Sequence, residues 1–175
     1  MLLNEKIYHI GELEGFSPQI GRLVSMMNYT RHTTLRAVHG LSIKELDFHL
    51  DSQSNSIGML LYHFADVEKI YQILTFENRE PTELEEKELE LGLDLGEKGQ
   101  ENIKGYPLEF YLDRLEKSRN ETLKQLQQRS DDWLDETTPF WNNLTANNYF
   151  KWFHVFEDEL NHRGQIRMIR KRFIE

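Results

Sequence analysis

Two histidines and an aspartate recur at four-residue intervals near the end of the chain. They are His154, Asp158 and His162, within a stretch from Phe153 to Ile166 that has the composition of a long helix. At this spacing the three side chains lie along one side of a helix. Two metal-binding side chains at positions i and i+4 allow one helix to supply two ligands to the same metal ion. The pattern therefore predicts a metal site to which another helix supplies a third ligand.

His63 is the predicted third ligand. It lies between Leu60 and Val67 on the apolar stripe of an earlier helix, so its ring faces the interior or the edge of the core. No other histidine occupies the interior side of that helix. Two imidazoles and one carboxylate can hold zinc, nickel, manganese or ferrous iron and leave positions open for water and substrate.

Each of these residues also has a simpler interpretation. His63 can be a hydrogen-bonded structural residue, and Asp158 with His162 can be an ordinary surface pair on one helix. His154 can replace Asp158 as a ligand or lie one turn outside the site, and we favour the second interpretation. Glu157 and Glu159 are predicted to be solvated, and the alternative for Glu159 is a contact that supports one of the ligands. Four aromatic residues are predicted to pack in the core or at its rim: Trp133, Phe140, Trp141 and Trp152.

Length and charge restrict the class of protein. A chain of 175 residues favours one domain, which we predict to span residues 1–175. The net charge of −9 argues against binding to nucleic acid through phosphates. The sequence has no cysteine, which excludes disulfides, thiolate zinc sites and a cysteine nucleophile. Any metal must therefore bind to histidine, oxygen donors or water.

The chain shows no sign of a membrane segment. The first residues, Met1 to Lys6, lack the apolar core of a signal peptide, and no apolar run reaches the length that spans a bilayer. We expect a cytoplasmic protein.

Four long helices are predicted from apolar periodicity and capping residues. Helix one spans about residues 18–39, and helix two follows Ser56 and carries an apolar stripe to Leu74. Residues 77–105 are acidic but rich in leucine, which predicts a long crossover connection that is partly packed. Pro107 opens helix three, which ends near Arg129.

The last part of the chain completes the predicted fold. Residues 130–146 are expected to form a loop, and helix four runs from Asn147 to about Arg172. No segment shows convincing strand-like alternation. The prediction is an all-α protein in which four helices and one long crossover form a four-helix bundle.

Two segments resemble motifs of the DinB/YfiT-like superfamily of metalloenzymes. They are Ser56 to His63, with the sequence SIGMLLYH, and Asp158 to Ile166, with the sequence DELNHRGQI. The resemblance covers nearly the whole chain. It implies an up-up-down-down four-helix bundle that is often a homodimer. It also implies an open site for a divalent metal, most commonly zinc or nickel. The implied ligands are His63, Asp158 and His162. Asp158 stands where the commonest pattern has histidine, whereas related thiol-dependent branches have a glutamate there.

The resemblance also implies an activity. Characterised members of the superfamily are largely metal-dependent transferases that activate a low-molecular-weight thiol such as bacillithiol or mycothiol. We therefore expect a transferase that acts on a small-molecule substrate. Two alternatives remain open: a metal-dependent hydrolase that uses the same site, and a non-catalytic, stress-related dimeric binding protein.

Overall fold

Helices make up most of the structure, a computed structural model that describes residues 5–140 and 144–173. The α-helices of the described residues are α1 (Pro18–Val38), α2 (Ile43–Leu46), α3 (Ile57–Phe76), α4 (Glu83–Asp94), α5 (Gly96–Asn102), α6 (Leu108–Leu126) and α7 (Asn148–Arg170). Short 3₁₀ helices lie at Glu5–Tyr8, Asp131–Asp135 and Lys171–Phe173. The prediction of a mainly helical protein is confirmed, and none of the described helices is both long and apolar enough to span a bilayer.

The two helices that carry the candidate ligands begin at side-chain caps. Ser56 precedes α3 in extended conformation, and its hydroxyl accepts a hydrogen bond from the backbone amide of Met59. Asn147 precedes α7 and accepts one from the amide of Phe150. Such caps satisfy amides that have no partner within the helix, and so they fix where each helix starts.

The four long helices pack around an apolar interior. α1 lies against α7, and α3 lies against both α6 and α7. Fully buried side chains such as Ile20, Leu60, Tyr111 and Trp152 fill the space between them. These helices correspond to the four that the sequence predicts, although α6 begins one residue later than expected because Pro107 is its cap. The up-up-down-down order stays a prediction.

The predicted crossover contains two further helices. α4 packs against α3, and Thr82 and Glu85 form a reciprocal capping box at its start. Leu89 and Gly92 are buried, whereas Leu84 is 67% exposed. The expectation of a partly packed segment is therefore confirmed, and the packing comes from one face of α4.

A small hairpin replaces part of the predicted loop. Strands β1 (Thr137–Phe140) and β2 (Leu144–Asn147) are antiparallel, with Thr138 opposite Ala146. The prediction of a strand-free segment was wrong here. Each strand has only four residues, which is too short to show alternation, and Pro139 argues against a central strand.

The aromatic residues near the hairpin close this end of the core. Trp133 and Trp152 are buried, and Phe76 stacks on both rings at centroid distances of 5.5 and 5.1 Å. Phe140 is partly buried beside them. The core prediction is right for these residues, and Trp141 lies outside the described residues.

Four charged side chains are buried together in the centre of the structure. Arg31 donates to Glu159 over 3.1 Å and to Glu68 over 3.2 Å, and Arg119 donates to Glu68 over 2.7 Å. All four side chains are at least nine-tenths buried. The prediction that Glu159 is solvated was wrong, because a buried arginine from α1 neutralises it.

Candidate metal centre

His63, Asp158 and His162 lie together in the structure. His63 Nε2 is 3.1 Å from Asp158 Oδ2, and His162 Nε2 is 3.3 Å from Asp158 Oδ1. One ligand atom from each residue can be chosen so that all three lie within 4.8 Å of one another. The structure thus brings together the three residues that the resemblance implied.

Packing of α3 against α7 creates this arrangement. His63 lies in the second turn of α3, and Asp158 and His162 are one turn apart on α7. The two imidazole rings meet edge to face, with centroids 5.1 Å apart. The side chains of His63, Asp158 and His162 are 11, 16 and 20% exposed. A small molecule can therefore reach the group from solvent while most of each side chain is held by packing.

A backbone carbonyl determines which nitrogen of His63 faces the group. His63 Nδ1 lies 2.7 Å from the carbonyl oxygen of Gly92 on α4. A carbonyl can only accept, so Nδ1 carries a proton and donates the hydrogen bond. A hydrogen bond of this kind orients histidine ligands in metal sites. It leaves Nε2 facing Asp158, and these two atoms attract each other only when a proton or a metal cation lies between them.

Charge within the group shifts two pKa values. Burial opposes ionisation of Asp158, but hydrogen bonds from His162 and His63 outweigh it and hold the pKa of this carboxyl well below its ordinary value. The hydrogen bond with Asp158 raises the pKa of His162, against the opposing effect of burial. An ionised carboxylate and two imidazoles together form a donor set that fits a divalent cation such as zinc.

Comparison with known proteins places the chain in a family. A family model described as mycothiol-S-transferase matches residues 22–173. The chain belongs to this family. The mycothiol-S-transferase family is part of the DinB/YfiT-like superfamily, so the resemblance is confirmed. No curated protein matches the chain.

His154 lies outside the group in this member of the mycothiol-S-transferase family. Its Nδ1 is 3.1 Å from Glu157, and its ring stacks on Phe150 and meets Tyr71 edge on. Within the described residues, the three-residue group contains Asp158 rather than His154. This placement agrees with the favoured interpretation that His154 is one turn away from the site.

Gly92 is the residue of this centre that the sequence did not reveal. Its carbonyl contacts His63 although the two residues are 29 positions apart. The available signal was a glycine within the last turn of a leucine-rich, acidic helix, because glycine is a poorer helix former than alanine. Such a position calls for a reason in packing or function.

The raised pKa of His162 predicts opposite pH trends for stability and for metal affinity. In the metal-free protein, the pairing with Asp158 stabilises the fold fully below about pH 6.5, and this contribution is lost as pH rises through the raised pKa. Zinc needs neutral imidazoles, so its affinity should increase over the same range. We expect the melting temperature of metal-free protein to fall, and zinc affinity to rise, as pH increases from about 6.5 through the raised pKa of His162. Calorimetry and chelator competition measure the two trends, and a melting temperature that rises without metal would contradict the prediction.

Proposed function

We propose that the protein is a metal-dependent thiol S-transferase whose metal ligands are His63, Asp158 and His162. The observation that carries the proposal is the convergence of these three side chains at a partly open position. Membership of the mycothiol-S-transferase family supports the thiol chemistry. In this reaction a low-molecular-weight thiol loses its proton to water, and its sulfur forms a bond to an electrophilic carbon. The bond from that carbon to the leaving group breaks, and the leaving group departs with the electron pair.

Each residue would have a defined part in the site. A divalent ion bound here would lower the pKa of a thiol and favour its thiolate. Asp158 would supply one negative charge, and His63 would be held in a single orientation by its bond to Gly92. Partial burial would exclude bulk water from most of the site, which strengthens electrostatic contacts within it.

We propose that a neighbouring cavity holds the part of the thiol that does not react. It measures about 280 Å³ and lies between the loop before α3 and the end of α7. Gln165, one turn beyond His162, forms part of its wall and contributes to the raised pKa of that histidine. The other described lining residues are Leu50, Gln53, Ser54, Asn55, Met168 and Ile169, and none carries a formal charge. This lining is mostly aliphatic and has no formal charge, which suits an uncharged part of the thiol.

Several finer features belong to the same proposal. We take zinc or nickel as the metal, and mycothiol or bacillithiol as the thiol. The superfamily resemblance supports an up-up-down-down four-helix bundle and a homodimer. Residues 1–175 would form one domain, and the expected location is the cytoplasm.

Metal-dependent conjugation tests the proposal. Purified protein would be stripped with a chelator, reconstituted separately with zinc, nickel or manganese, and supplied with mycothiol, bacillithiol or glutathione and a bromobimane electrophile. We expect conjugation that needs both metal and thiol, that is lost in His63→Ala and that persists in the matched control His154→Ala. Ester hydrolysis without thiol would favour the hydrolase. Absence of bound metal after all three reconstitutions would favour the non-catalytic alternative.

A further inference from the structure

The proposed ligand His63 has a buried carboxylate for a neighbour. Asp66 lies three residues later on α3, so both side chains are on the same side of that helix. It is 1% exposed, and Oδ1 accepts a hydrogen bond from Arg114 of α6 over 2.6 Å. Burial raises the pKa of Asp66 to about 6, although Arg114 opposes the shift. Buried charges are normally paired, and Arg114 is the partner of Asp66.

The Asp66 side chain packs directly against Gly92. A Cβ atom on Gly92 would lie 2.2 Å from Asp66 Oδ2 and 2.8 Å from Asp66 Cβ. Only glycine allows α4 to approach α3 this closely. Asp66 thus fills the space beside the Gly92 backbone, and Arg114 fixes Asp66 in turn.

Arg114 is itself held in place from α3. Its guanidinium lies over the ring of Tyr62, 3.8 Å from the ring centroid. Tyr62 directly precedes His63 in the chain. Contacts therefore run from Tyr62 to Arg114, then to Asp66 and to Gly92. The Gly92 carbonyl accepts a hydrogen bond from His63 Nδ1 over 2.7 Å.

We propose that Asp66 is a positioning residue that seats Gly92 against α3 and so holds His63 with Nε2 facing Asp158. The carboxylate contacts the part of α4 whose carbonyl orients the His63 ring. This inference deepens the proposed metal site and rests on it for its function. The orientation of His63, however, is a property of the metal-free protein and can be measured alone.

Two variants disturb the arrangement from different sides. Gly92→Ala places a methyl group against the carboxylate and should push α4 away from α3. Asp66→Ala removes the side chain that fills this space. In both, the hydrogen bond between His63 and Gly92 should weaken, and the zinc affinity should fall by roughly 10–100-fold, as is typical when the partner that orients a ligand is lost.

Matched variants separate positioning from general damage. Asp66→Asn keeps the shape and the acceptor for Arg114, so its zinc affinity should stay close to that of the native protein. Gly99→Ala adds a methyl group elsewhere in the crossover, where the nearest atom is the flexible end of Met59. Its zinc affinity should be unchanged.

The measurement combines imidazole nitrogen NMR with zinc titration. In metal-free native protein at alkaline pH, the spectrum should show the proton of His63 on Nδ1. In Gly92→Ala and Asp66→Ala it should show a mixture of both tautomers, and competition with a chromophoric chelator gives the zinc affinity. Circular dichroism identifies folded variants, and Asp66→Ala decides the outcome if Gly92→Ala does not fold.

Two results would overturn the inference. One is a native His63 whose single proton, at the alkaline pH of the measurement, lies on Nε2 rather than on Nδ1, and the other is a folded Asp66→Ala that keeps both the Nδ1 proton and native zinc affinity. If native protein binds none of zinc, nickel and manganese, the proposed function fails, while the tautomer measurement still decides the role of Asp66.

Discussion

Replacing Asp158 with asparagine should lower the zinc affinity by at least about 100-fold, more than the loss of an orienting partner costs. Asparagine preserves the shape of the side chain but removes the negative charge, and its neutral amide is a much poorer zinc ligand. Asp158 is also the residue that both histidines contact, at 3.1 and 3.3 Å. Chelator competition on the purified variant measures the change.

A neighbouring carboxylate provides the control for this substitution. Glu157 is adjacent to Asp158 but pairs with His154, outside the three-residue group. Glu157→Gln removes the same charge from the same helix. Its zinc affinity should change far less than that of Asp158→Asn, because Glu157 acts on His162 only as the smallest of several charge effects. Equal zinc affinity in Asp158→Asn and the native protein would exclude Asp158 as a ligand.

Replacing Glu68 with alanine should lower the free energy of unfolding by about 3–5 kcal/mol. Glu68 is completely buried and neutralises both Arg31 and Arg119. Without it, two buried guanidinium groups share the single carboxylate of Glu159. Removing one partner from a buried ionic group is costly because the other charge stays desolvated. Urea unfolding followed by circular dichroism measures the effect.

An exposed ion pair supplies the comparison. Glu121 is 3.9 Å from Lys124 on the surface of α6, where both side chains are largely solvated. Glu121→Ala should change the free energy of unfolding by less than about 1 kcal/mol. If Glu68→Ala lowers the free energy of unfolding no more than Glu121→Ala does, the prediction that the buried ion pairs stabilise the fold is wrong.

The sequence predicts what depends on local periodicity. The apolar stripe around His63 identifies an interior-facing histidine, and the four-residue spacing of Asp158 and His162 puts both on one side of α7. Capping residues such as Ser56 and Asn147 mark where these helices begin. For these features the sequence carries the information within one or two helical turns.

Other features depend on contacts between distant parts of the chain. The residues next to Glu159 in the sequence do not distinguish it from a solvated glutamate. Its burial follows from the pairing with Arg31, which is 128 residues away. The hydrogen bond between His63 and Gly92 requires that α4 pack on α3 in a defined position. The strands of the hairpin are too short to show a period. None of these properties can be derived from local pattern alone.

The pairing of Glu159 with Arg31 has a consequence for the rotational setting of α7. Glu159 directly follows Asp158, so the two carboxylates point in different directions from the same turn of the helix. Turning α7 about its axis to move Asp158 would pull Glu159 away from a buried guanidinium on α1. The angular position of Asp158 is therefore locked before any ion arrives. A metal ion that bound at the proposed site would meet side chains already in place, so little of the binding free energy would be spent on rearranging the helix.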